Sequence, residues 1–138
     1  MIYLDADCLV LKNIDELFQR PQLSAALDCC DHFNSGVMVL EPNKKTFDDM
    51  IYKLKNKKID SYDGADQGFL NSYFFKYSFH PLSFKYNADQ YVLARNKHAY
   101  DENELKVIHY SHEHKPWLKE QPEGFNENLK SLHKFWWK

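Results

Sequence analysis

An α/β fold is predicted for this chain by three observations. Short apolar runs of strand length alternate with stretches of helical period, and polar clusters stand where the apolar runs end. Ile2-Tyr3-Leu4 is the first run and reads as a buried strand. Period-2 alternation then puts the carboxylates of Asp5-Ala6-Asp7 on the same side. Ligand sites in open parallel sheets form at the carboxyl ends of strands, so chemistry is expected here. Two acidic groups so placed repel each other unless a divalent cation or a shared proton neutralises them. A metal-bound phosphate site is the sharp reading; a solvated strand-to-loop turn is the plain one.

The other elements follow in order. Asn13-x-x-Glu16 resembles a capping box before a short helix carrying Leu17 and Phe18. Leu23 to Leu27 and Val37 to Leu40 suit strands. Phe47, Met50, Ile51 and Leu54 follow helical spacing, which predicts an amphipathic helix over 43–56 covering the sheet. Asp63 is placed to cap a second helix containing Phe69, Leu70, Tyr73 and Phe74, with Asp66 in its first turn. Leu105 to Tyr110 reads as a buried strand, and Leu129, Leu132, His133 and Trp136 mark a closing helix. A first strand with chemistry at its end should be central, yet nothing precedes it. The expectation is a fragment, or a naturally truncated relative, with Ile2 and Leu4 at a bare sheet edge.

At 138 residues, with 43% hydrophobic and 16% aromatic content, the chain is one domain or part of one. A formal charge of -2 gives no electrostatic case for nucleic acid or an anionic membrane. No apolar run approaches the ~20 residues that cross a bilayer, and no signal peptide precedes Met1. Cys8, Cys29 and Cys30 fit free thiols in a reducing compartment, hence a cytoplasmic expectation. His109, His112 and His114 crowd into six residues and invite a metal hypothesis.

Four polar clusters end the apolar runs: Asp5-Ala6-Asp7; Asn34-Ser35-Gly36; Asp63-Gly64-Ala65-Asp66-Gln67-Gly68; and His109 with Lys115-Pro116-Trp117. Singly, the second reads as a bend, the third as a helix start, and His109 as a hydrogen-bonded core histidine. In this order, and with Asn13-Ile14-Asp15-Glu16-Leu17-Phe18 and Tyr86-Asn87, they resemble glycosyltransferase family 8, most closely its glycogenin-like members. The resemblance covers almost the whole chain. It implies a GT-A fold with a Rossmann-like mixed sheet, here without its N-terminal strands, over a partial catalytic domain spanning 1–138. It also implies retaining transfer of a hexose, glucose first, from a UDP-sugar to a carbohydrate or protein acceptor, with manganese.

Residue by residue, the resemblance gives Asp5, Asp7 and His109 as metal ligands and Lys115 as the diphosphate lysine. Asn34, Ser35 and Asp63 match positions that hold the donor sugar, Asn87 matches an active-site position, and Asp66 and Gln67 face the reacting carbon. The chemistry agrees: two carboxylates and an imidazole leave coordination positions open for diphosphate oxygens, and the nitrogen favours Mn²⁺ over Mg²⁺.

The chain departs from the family at His112, where glycine is usual, and Tyr91 and Tyr100 lie in the segment of the self-glucosylated tyrosine without matching its pattern. Two other readings compete. One is a non-catalytic remnant that binds metal or a partner. The other is a haloacid-dehalogenase-type phosphatase, whose further acidic pair would be the adjacent aspartates Asp48-Asp49, in a helix whose apolar face is already accounted for. Donor identity, acceptor and oligomeric state, a homodimer included, stay open.

Overall fold

The computed structural model describes residues 1–28, 31–75, 78–96 and 98–138. Cys29 and Cys30, expected as free thiols, lie outside them, and Cys8 forms no disulfide among the described residues. The elements run β1 (Ile2–Leu4), β2 (Cys8–Val10), β3 (Ser24–Leu27), β4 (Phe33–Val39), α1 (Lys44–Lys55), α2 (Asp66–Phe74), β5 (His80–Leu82), β6 (Ala88–Asp89), α3 (Gln90–Arg95), β7 (Val107–His109) and α4 (Glu127–Trp136). They divide between two compact units: Met1–Tyr3 with Asp15–Leu82, and Leu4–Ile14 with Ser83–Lys138.

In the first unit the sheet has the order β1-β4-β3-β5. β3 runs antiparallel to β4, with Ser24 opposite Val39, and parallel to β5. Leu23, Ala25, Phe33 and Met38 form its buried core, against which Leu70 and Phe74 of α2 pack. β1 is an edge strand, so Tyr3 and Leu4 are each 36% exposed. The edge position is the one expected for Ile2 and Leu4, whereas the burial read from the apolar run is not reached, because the strand is paired on one side only.

Three local expectations change. The segment after Asn13 is a 3-10 turn, Asp15–Gln19, rather than an α-helix, because Pro21 follows at once and disfavours helical backbone before it. Asn34-Ser35-Gly36 is not a bend but part of β4. Side-chain amides complete its ladder: Asn71 accepts from Phe33 N and donates to Phe33 O, both at 2.9 Å, and Gln67 Oε1 accepts from Ser35 N at 3.1 Å. Finally, α1 starts as predicted, Asn43 accepting from Thr46 N at 3.0 Å. Its apolar face is less covered than expected, however, with Phe47, Tyr52 and Leu54 exposed. An apolar cavity of about 440 Å³, lined in part by Met38, Leu40, Phe47 and Met50, lies beside it.

In the second unit the order is β2-β7-β6. β2 runs antiparallel to β7, pairing Cys8 with His109, Leu9 with Ile108 and Val10 with Val107. β6 is parallel to β7, with Asp89 beside His109. Leu93, Leu105, Ile108, Tyr110, Leu129 and Leu132 close the core between this sheet, α3 and α4. Asn126 caps α4 through Leu129 N at 3.1 Å, which turns Leu129 and Leu132 inward. Tyr110 donates to Leu132 O at 2.8 Å, and burial raises its phenol well above the usual value.

His133 is also buried on α4, 3.0 Å from Gln90 Oε1. Burial, with a smaller contribution from His114, lowers its imidazole from 6.5 to about 4. The folded chain thus keeps His133 neutral while the unfolded chain protonates it. Stability is fully present above pH 6.5 and falls as pH drops toward about 4, where the folded imidazole titrates. Denaturant titrations at pH 7 and pH 4.5 should show a loss of about 2 kcal/mol that His133→Phe removes. An identical loss in that variant would place the sensitivity elsewhere.

Candidate functional site

The second unit brings four of its predicted residues together around Asp7. Cys8 N donates to Asp5 O at 3.0 Å, closing a tight turn over Asp5-Ala6-Asp7. The two carboxylates are therefore gathered by a turn between β1 and β2, not by alternation along one strand. The β2–β7 ladder continues past Cys8, since Tyr110 N donates to Asp7 O at 2.9 Å. That register sets the turn beside the end of β7, where His109 is buried. His109 Nε2 lies 3.3 Å from Asp7 Oδ1 and 3.8 Å from Asp5 Oδ2.

Asn87 settles which imidazole nitrogen is available. Its Oδ1 stands 2.9 Å from His109 Nδ1 and can only accept, so Nδ1 carries that hydrogen and Nε2 is the nitrogen that faces the carboxylates. Lys115 Nζ donates to Asp7 Oδ2 and to Tyr110 O, each at 2.6 Å. Burial raises the Asp7 carboxyl, but hydrogen bonds and charge from His109 and Lys115 outweigh it and hold Asp7 well below the usual carboxylate range.

The donor set fits a hard divalent cation. Two ligand atoms at right angles on an ion about 2.1 Å away are about 3 Å apart, so small side-chain shifts suffice. Cys8 shares the neighbourhood, its sulfur lying within 4.8 Å of ligand atoms of Asp7 and His109. Burial, then the Asp7 and Asp5 carboxylates, pushes its thiol up to about 12, which leaves it protonated and a weak ligand at neutral pH. Of the three clustered histidines, His109 alone joins the carboxylates by an ion-pair contact among the described residues. His112 is exposed, as expected, but adopts φ 65°, the left-handed region that favours glycine. His114, expected to be exposed, is buried: its Nδ1 meets Tyr91 OH, and Nε2 lies 3.3 and 3.2 Å from the carbonyls of Pro122 and Glu123.

The remaining predicted residues belong to the first unit, around the start of α2. Asp63 Oδ1 accepts from Ser61 Oγ at 2.6 Å, Ala65 N at 2.8 Å and Gly68 N at 3.0 Å. It caps α2 from two residues before the N-cap, so its carboxylate is occupied by the backbone. A Cβ at Gly68 would stand 2.3 Å from Asp63 Oδ1, so glycine is what lets the carboxylate reach the amide. Gln67 bridges Ser35 N and Asp28, donating to Asp28 Oδ2 at 2.8 Å. Asn34 Oδ1 accepts from Gly36 N at 2.9 Å, Ser35 is buried, and Asp66 is exposed in the first turn. Asn71, Asp89 and Gln90 were not singled out from sequence. Asn71 stands one turn after Gln67 and shares its face, a spacing that signals it; Asp89 and Gln90 carry no motif.

The model of the family "Glycosyl transferase family 8" matches residues 1–121. An Arabidopsis thaliana protein provisionally assigned as UDP-glucuronate:xylan alpha-glucuronosyltransferase 5 is 43% identical over 149 residues, covering 100% of this chain and 25% of that protein. Glycogenin-1 of Caenorhabditis elegans is 42% identical over 125 residues, covering 84% of this chain and 28% of its own length. Among solved structures, the glycosyltransferase GlyE of Streptococcus pneumoniae superposes with a TM-score of 0.70 at 27% identity, over 99% of this chain and 38% of that one. The chain therefore spans about a quarter of these curated relatives. The fold is GT-A, and the chain belongs to glycosyl transferase family 8.

Proposed function

We propose that this chain is part of a GT-A catalytic domain that moves a hexose, with retention, from a UDP-sugar to a carbohydrate or protein acceptor in the presence of Mn²⁺. The observation that carries this reading is the convergence of Asp5, Asp7 and His109, with Asn87 behind the imidazole and Lys115 beside the carboxylate. Asp5, Asp7 and His109 would hold the ion. When bound, Mn²⁺ supplies Lewis-acid stabilisation of the UDP leaving group. Lys115 adds a point charge to the same phosphate oxygens. Asn34, Ser35 and Asp63 are assigned to the donor sugar by resemblance, Asp63 acting through the helix start that it caps. Asp66 and Gln67 stabilise positive charge as the anomeric bond breaks. The uracil and ribose are held by parts of the larger domain beyond the span matched here.

The two curated relatives leave the sugar undecided between glucose, which the glycogenin-like motifs favour, and glucuronate. UDP-glucose and UDP-glucuronate should therefore be compared as donors with the segment in a complete domain. Manganese-dependent release of UDP from either supports the reading. Release from neither, with p-nitrophenyl phosphate hydrolysed instead, would revive the phosphatase.

Removing the amide behind a metal-binding histidine typically costs about 10–100-fold in metal affinity. Asn87→Ala should weaken Mn²⁺ binding by that amount in calorimetry, and an unchanged Kd would mean that His109 is not a ligand. Asp66→Asn should lower kcat by about 10²-fold with little change in KM, the pattern of a contact made mainly in the transition state. Full activity in that variant would reduce Asp66 to a helix-start carboxylate.

A further inference from the structure

Resting on the reading above, we propose that Gln90 is a positioning residue that holds the segment between His109 and Lys115 in the shape that delivers the Lys115 ammonium to Asp7. Gln90 is fully buried at the start of α3. Its Nε2 donates to Ser111 O at 2.6 Å and to His114 O at 2.8 Å, the carbonyls at the two ends of the loop that precedes Lys115. Its Oε1 accepts from His133 Nε2 at 3.0 Å. The two loop carbonyls can only accept, so they fix the amide nitrogen toward the loop and leave Oε1 to accept from His133 on the far side.

Gln90 does not act on the loop alone. Asp89 caps α3 through Tyr91 N and Val92 N with one oxygen and accepts from Ser111 Oγ with the other. Asn87, two residues earlier, accepts from His109 Nδ1. Three side chains within four residues thus hold His109, Ser111 and His114 in turn. Asn87 steers the imidazole, whereas Gln90 steers the backbone that ends at Lys115. The loop has a reason to need this support, because His112 within it holds a left-handed backbone that a non-glycine residue adopts at a cost of about 1 kcal/mol. A fully buried amide with both ends bonded supplies a rigid counterweight.

The division of labour separates positioning from general stability. Gln90→Leu removes both donors to the loop. His133→Phe removes only the contact on the far side and keeps a ring in the core. In the chain without metal or nucleotide, amine labelling read by mass spectrometry should show Lys115 reacting about tenfold faster in Gln90→Leu, as expected for losing two buried hydrogen bonds. In His133→Phe it should stay near the original rate. Equal acceleration in both variants, or none in Gln90→Leu, would overturn the proposal. If the Leu variant does not fold, Gln90→Met keeps the side-chain length without its donors and is read in the same way.

The functional consequence has its own readout. With Mn²⁺ present and the segment in a complete domain, Gln90→Leu should weaken UDP binding about tenfold, leave Mn²⁺ affinity within about twofold, and add nothing further in a Lys115→Ala background. Additive losses would show that Gln90 does not act through Lys115. A complete domain that binds no UDP at all would count against the proposed function, while the labelling result would still decide the role of Gln90.

Discussion

The site depends on the pairing of β2 with β7. β2 is three residues long and stands at the edge of its sheet, yet its register sets Cys8 opposite His109 and continues through the Asp7 carbonyl to Tyr110 N. A slip of one residue would exchange the faces of every side chain in the strand and turn the imidazole away from the carboxylates. Apolar burial guards against that slip. Val107 and Ile108 are fully buried, and Leu9 packs against the core cluster that Ile108 joins. Geometry at the candidate metal site is thus a by-product of hydrophobic register a few ångströms away.

The charges follow from that placement. Asp7 is partly buried, which disfavours its ionised form, but His109 meets one oxygen and Lys115 the other. Burial and, after it, the same two carboxylates that suit a cation raise the neighbouring Cys8 thiol, so the softer ligand stays protonated beside the harder ones. Polar burial in the first unit has a different logic. Asn71 and Gln67 bond the backbone at the start of β4, and Asp63 is consumed by the start of α2. Side chains with the look of ligand-binding groups are there also holding the backbone.

Much of this was legible in the amino-acid sequence where period and caps agree. The Asn43-capped helix, the buried strand ending in His109 and the helix carrying Leu129 and Leu132 follow from local pattern. Ordered motifs also pointed to the Asp5–Asp7–His109–Lys115 grouping and to Asn87. What stayed hidden depends on non-local partners. Asn34-Ser35-Gly36 is a strand because amides from α2 complete its ladder, and the sequence of that tripeptide alone favours a bend. His114 is buried because Tyr91 and two distant carbonyls satisfy its nitrogens.

The central claim is that Asp5, Asp7 and His109 form one cation site. Anomalous diffraction from crystals of this chain soaked in Mn²⁺ tests it most directly. A single strong peak is expected about 2.0–2.5 Å from His109 Nε2 and from a carboxylate oxygen of each aspartate. A peak bound by the Cys8 sulfur, or a lattice rich in Mn²⁺ with no density between these three side chains, would contradict it.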